Sequence, residues 1–111
     1  MNDLVETEHR LGPVDDIPVG EGRAYAVGDL QIAVFRPRTG ALRATQATCP
    51  HAGGPLADGQ LDDSVVLCPL HAAAFELETG HARTGHPSLT TYPVQVVDGI
   101  IAVRTGQGAG A

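Results

Sequence analysis

Two short segments carry the residues best able to do chemistry. Cys49-Pro50-His51 sets a thiol and an imidazole two positions apart, and Cys68-Pro69-Leu70-His71 sets them three apart, with 16 residues between His51 and Cys68. Thiolate sulfur and neutral imidazole nitrogen are both metal ligands. Pairs this tight can direct two side chains to one centre where the backbone turns. Pro50, Pro69 and the following Gly53-Gly54-Pro55 supply residues that fix such turns. Both cysteines of the chain are used, one in each pair.

Several chemistries fit the four residues Cys49, His51, Cys68 and His71. Two thiolates with two imidazoles satisfy tetrahedral zinc, although zinc sites commonly group Cys with Cys and His with His. Mixed pairs suit a two-iron cluster whose irons differ, each loop giving its Cys to one iron and its His to the other. A Cys–His nucleophile would leave the duplication unexplained. Buried cysteines with incidental histidines nearby are the plainest reading. The residues by themselves leave these open.

The elements that must position them read as β. In residues 30–35, Leu30, Ile32 and Val34 fall on one face at period 2, with Gln31 and Ala33 on the other. Arg38-Thr39-Gly40 predicts a tight connection into a strand at 41–47. Strands at 92–97 and 100–104 flank Asp98-Gly99, the dipeptide of a two-residue type I′ hairpin turn. Further strands are expected at 5–11, 23–27 and 65–68. No window predicts an amphipathic helix of ten or more residues. Ala72-Ala73-Ala74 lies between Pro69 and Phe75, which predicts a loop or single turn. Four histidines, both cysteines and several Gly turns crowd between Ala47 and Pro87, as in a loop-rich insert on a β scaffold. Residues 106–111 are expected to form a flexible tail.

Composition bounds the partners. The 111 residues include 13 acidic and 7 basic ones, a formal charge of −6. Too few cations are present for phosphate-driven binding of nucleic acid or for docking on anionic lipid, whereas an acidic surface suits a basic protein partner. Gly (14) and Pro (8) make up about a fifth of the chain, as expected of short strands joined by many turns. No apolar run approaches the ~20 residues of a membrane span. Met1-Asn2-Asp3-Leu4-Val5-Glu6 has neither the basic nor the apolar region of a signal peptide. A cytoplasmic monomer is expected, in which two cysteines serve a metal rather than a disulfide framework. Asp58, Asp62 and Asp63 read as a solvated loop, His9, His81 and His86 as surface residues, and Phe75 and Leu77 as core.

Cys49-Pro-His51-Ala-Gly-Gly-Pro-Leu56 and Cys68-Pro-Leu-His71-Ala-Ala-Ala-Phe75-Glu-Leu-Glu-Thr-Gly80, followed by Tyr92-Pro-Val-Gln-Val-Val-Asp-Gly99, resemble the Rieske [2Fe–2S] proteins. The similarity is closest to the small soluble Rieske-type ferredoxins and spans residues 5–104. It implies an all-β fold: an antiparallel barrel or sandwich base with a smaller cluster-binding subdomain inserted at about residues 45–88. Residues 1–105 would then be one domain. By resemblance, Cys49 and Cys68 bind the inner iron of one [2Fe–2S] cluster, His51 and His71 the outer iron, and Thr84-Gly85-His86-Pro87 forms a third, shielding loop. With every iron position filled, such a protein is an electron carrier and not itself an enzyme. Its partners would be a flavoprotein reductase supplied by NAD(P)H and a terminal non-haem iron oxygenase. The small subunit of an assimilatory nitrite reductase, bound to its large subunit, shares the pattern. Two departures from the family stand out. Ala72 occupies a usual Gly position, and Gly54 and Leu70 stand where respiratory members carry a bridging cysteine pair.

The resemblance also speaks to tuning. Two thiolates and two neutral imidazoles leave an oxidised two-iron, two-sulfide cluster uncharged, so its potential exceeds that of an all-thiolate site. Respiratory members raise it further with a Ser and a Tyr hydroxyl, where this chain has Ala73 and Phe75. The cluster is therefore expected near the low end of the Rieske range, about −150 mV rather than about +300 mV. A hydrogen bond that strengthens by ~1.4 kcal/mol on reduction shifts a one-electron couple by about 60 mV. The double variant Ala73→Ser, Phe75→Tyr should thus be more positive by roughly 100 mV in direct voltammetry.

Overall fold

The computed structural model describes residues 6–38, 41–49, 54–62, 64–69, 74–82 and 88–106. These residues form ten strands: β1 (Glu6–Pro13), β2 (Glu21–Val27), β3 (Leu30–Arg36), β4 (Arg43–Gln46), β5 (Gln60–Asp62), β6 (Val65–Leu67), β7 (Ala74–Glu76), β8 (Thr91–Tyr92), β9 (Val94–Val97) and β10 (Ile100–Gly106). Single 3-10 turns lie at Val14–Asp16 and Leu56–Asp58. Every pairing is antiparallel. The strand orders are β1-β10-β9, β2-β3-β4-β8 and β5-β6-β7.

The first two sheets pack face to face as a sandwich. Ile32 and Val34 of β3, Val27 of β2 and Ala44 of β4 meet Ile101 and Val103 of β10 and the fully buried Ile17. Arg36 closes one end of this core. Its Nη1 donates to the carbonyl oxygens of Ile17 (2.9 Å) and Val14 (3.3 Å), fastening the first 3-10 turn over the sandwich. A second core lies against the alternate side chains of β3, Ala33 and Phe35. It gathers Leu56, Val66, Phe75, Leu77, Ala82 and Leu89, which belong to the third sheet and its connections. The period-2 reading of β3 holds, but both of its faces are buried from Ile32 to Phe35.

Asp98 and Gly99 take φ of 54° and 79°, and Val97 pairs with Ile100, so the expected hairpin forms. Other expectations change. The single strand expected at 92–97 is two, β8 and β9, in different sheets. Pro93 lies between them and has no N–H to donate to a ladder. Ala74 opens a strand rather than a turn, because β7 pairs with β6 through Leu67↔Ala74 and Val66↔Phe75. Gly106, expected in the tail, belongs to β10 opposite Glu6. His9 is half-buried rather than solvent-facing, with Nε2 3.1 Å from Thr105 Oγ1 across the β1–β10 pair. Thr39, Gly40 and residues 107–111 lie outside the described residues.

Tyr25 of β2 sits half-buried at the margin of the sandwich core. Its Oη is buried, and no group among the described residues hydrogen-bonds to it. Burial raises the phenol pKa above 10; the Arg23 cation, 5.8 Å from the ring centroid, opposes this, and Asp16 adds to it. A phenol that holds its proton longer in the folded chain contributes fully below pH 10, and stability falls as pH rises beyond that. Tyr25→Phe should remove this alkaline decline. At neutral pH it should leave stability equal or raise it by about 1 kcal/mol, since a buried hydroxyl without a partner is lost. Denaturation at neutral pH and at alkaline pH checks both.

Candidate metal centre

Each cysteine opens a loop closed by antiparallel pairing. In the first, Thr48 bridges Pro55, and the Cys49 N–H donates to the Gly54 carbonyl at 2.8 Å, which closes the stem of the segment 49–54. In the second, Leu67 pairs with Ala74, which closes the stem of the segment 68–73. The first is tied to the scaffold on both sides. The Ala47 N–H donates to the Gln31 carbonyl of β3 (3.0 Å), and the Leu56 N–H to the Ala47 carbonyl (2.9 Å).

The two loops are brought together by β5. The chain leaving the first loop turns through Leu56–Asp58 and enters β5, where Gln60 pairs with Leu67, the residue preceding Cys68. The exit of one loop is thereby hydrogen-bonded to the entrance of the other. Leu56, fully buried, anchors this turn in the second core.

Cys49 and Cys68 are each only 2% exposed, belong to that same core and are thiols, not a disulfide. They pack in an apolar cluster with Phe35, Leu56, Val66, Phe75, Leu77, Ala82 and Leu89. Ionised sulfur in such a place is costly unless a cation neutralises it. Two thiols buried in an apolar core fit a metal site better than a solvated reactive thiol.

His51 and His71, the expected outer ligands, lie outside the described residues. So do Ala72, Ala73, Leu70, Asp63 and the third loop Thr84-Gly85-His86-Pro87. Phe75 is fully buried in β7 and bridges Ala82 through the backbone, and Leu77 is buried beside it, so both are core as expected. Asp58 and Asp62 are exposed. His81 is exposed in a turn where its N–H bonds Thr79 Oγ1 (3.1 Å) and its carbonyl accepts the Glu76 N–H (2.9 Å).

Comparison with known proteins agrees with this geometry. The Rieske [2Fe-2S] domain matches residues 7–97. The chain belongs to that family. Its cofactor is a Rieske-type [2Fe–2S] cluster, and the donor chemistry of Cys49 and Cys68 fits one. The 3-phenylpropionate/cinnamic acid dioxygenase ferredoxin subunit of Escherichia coli K12 is 40% identical over 94 residues, covering 82% of this chain and 87% of that one. The ferredoxin in a complex of reduced oxygenase and oxidized ferredoxin of carbazole 1,9a-dioxygenase superposes with a TM-score of 0.76 at 30% identity, covering 92% and 94%. A Mycobacterium tuberculosis chain assigned as the small subunit of an NADH-dependent nitrite reductase superposes with a TM-score of 0.83 at 25% identity, covering 91% and 96%.

Past the second loop, Gly80 holds the insert to the strand that follows. Its N–H donates to the Glu76 carbonyl of β7, and its carbonyl accepts the Leu89 N–H, both at 2.8 Å. Its φ is +80°, and a Cβ there would meet the Leu89 carbonyl oxygen. Gly80→Ala therefore combines left-handed strain with a backbone clash and should cost about 2–4 kcal/mol. By contrast, Gly28→Ala, at φ +58° with open space around it, should cost about 1 kcal/mol. Thermal unfolding of the two variants separates the cases.

Proposed function

We propose that this chain is the one-electron carrier of a multicomponent oxygenase system. It takes electrons from an NAD(P)H-dependent flavoprotein reductase and passes them to a terminal non-haem iron oxygenase. The observation that carries the reading is the pair of buried thiols in one apolar core, each at the start of a segment closed at its stem whose sequence also holds one histidine. Cys49, His51, Cys68 and His71 hold the cluster, within a cluster-binding subdomain at residues 45–88 of a single domain. When bound, the cluster supplies one electron at a time at a moderate potential. The protein's part is to hold it: Cys49 and Cys68 anchor it on the apolar side, while Leu56, Phe75 and Leu77 keep water from that side. His51 and His71 supply neutral ligands. In this reading the chain performs no substrate chemistry, and its acidic surface steers basic partners. Among the described residues, no helix is long and apolar enough to cross a membrane; a cytoplasmic monomer fits this role.

A second reading, the small subunit of a nitrite reductase, is favoured by the structural likeness to the Mycobacterium tuberculosis chain. Purification from the native host distinguishes the two. A large subunit that stays bound and consumes nitrite supports the second, whereas a protein that isolates alone and is reoxidised by an oxygenase component, one electron per chain, supports the first.

The ligand set has its own test. Cys49→Ser and His71→Ala should each lose the cluster and, with it, much of the order of the second loop, since ligation energy is also folding energy. Iron content and the visible spectrum of the purified variants check this. A native spectrum in either one means that the ligand lies elsewhere.

A further inference from the structure

We infer that Gln46 is a positioning residue for the metal centre. Its side-chain amide clasps the first cysteine loop to the segment that leads into β8 and so pins the peptide group from which Cys49 begins. This rests on the assignment of Cys49 as a ligand.

The β4–β8 ladder has its last pair at Thr45↔Thr91. One residue further on, the Gln46 N–H still donates to the Thr90 carbonyl at 2.9 Å. Continuation of the ladder would return a bond from the Thr90 N–H to the Gln46 carbonyl. That carbonyl instead accepts the Thr45 hydroxyl at 2.8 Å. The Thr90 N–H is met by Gln46 Oε1, also at 2.8 Å. The side-chain carbonyl thus takes the place of a backbone carbonyl at the point where β4 gives way to the loop.

The other end of the same amide faces the loop itself. Gln46 Nε2 donates to the Thr48 carbonyl at 2.9 Å. Thr90 offers only a donor there and Thr48 only an acceptor, so one orientation of the amide serves both. The Thr48 carbonyl and the Cys49 N–H belong to one planar peptide group. That group is therefore held from both sides, by Gln46 at its oxygen and by the Gly54 carbonyl at its N–H.

The clasp reaches the second loop as well. Leu89, next to Thr90, donates to Gly80, and Gly80 donates to Glu76 of β7, the strand that leaves the second loop. A line of hydrogen bonds and short backbone links runs from the peptide before Cys49 to the strand after residues 68–73, with the Gln46 amide as its side-chain link.

Two variants of the cluster-loaded protein test the role at neutral pH. Gln46→Met keeps the length and removes both bonds. Gln46→Glu keeps an acceptor for Thr90 but turns a second acceptor toward the Thr48 carbonyl. Hydrogen exchange should rise about tenfold at the Cys49 amide in both, and at the Thr90 amide only in Gln46→Met, while amides of the β1–β10 pair stay at the native rate. Loss of visible absorbance in excess chelator should be about tenfold faster in both. Native cluster lifetime with native Cys49 exchange in either variant overturns the proposal. So does exchange that rises equally across all the sheets, which would mark Gln46 as a general support of the fold. If Gln46→Met does not fold, the same readings on Gln46→Glu decide. A cluster retained in Cys49→Ser would overturn the ligand assignment alone, because the exchange pattern reports the clasp independently of which residue binds iron.

Discussion

Burial of β3 on both faces is the constraint on which the rest of this structure depends. Ile32 and Val34 belong to the sandwich core, and Ala33 and Phe35 to the core that contains the cysteines. All four are fully buried. Full burial of side chains of the size of Ile, Val and Phe is worth about 1.5–3 kcal/mol each. One strand therefore fastens two cores to a common wall, and neither can shift without exposing the other. The third sheet and its connections are held against the scaffold by this shared strand, with the Gly80–Leu89 hydrogen bond as a further tie.

That arrangement suits a site made of short loops. Strands of three residues such as β5, β6 and β7 would be marginal alone. They persist because Leu56, Val66, Phe75 and Leu77 fill the space against Phe35. The cysteines are placed by the closures at the stems of their segments, Thr48 with Pro55 and Leu67 with Ala74. With Cys49 and Cys68 as the proposed ligands, bound metal would compensate the charge of buried sulfur, and the packed wall would keep competing water away.

Charge plays a different part. The exposed ion pairs of Glu8 with Arg10 (3.5 Å) and Arg104 (3.9 Å) lie on the β1-β10-β9 sheet and contribute little to stability. The net charge of −6 acts at longer range, on solubility and on the approach of partners, and its effect weakens with salt. Packing decides the fold, and charge bears on which proteins the folded chain will meet.

The sequence by itself determined what rests on local chemistry. Asp98-Gly99 announced its hairpin because few residues tolerate positive φ at two successive positions. The alternation in β3 showed a strand because side chains there must alternate between faces. The paired cysteines and histidines narrowed the chemistry to a few uses, and the motifs around them carried the resemblance to the Rieske family. Only the tertiary structure decided the rest. It showed that the two faces of β3 serve different cores, because periodicity reports burial without naming the neighbour. It broke the run at 92–97 across two sheets at Pro93, and it made a strand of Ala74–Glu76 once β6 lay alongside. Gln46 carried no signal in its spacing. Its amide acts on Thr90, 44 residues away, and only folding brings that N–H within 2.8 Å.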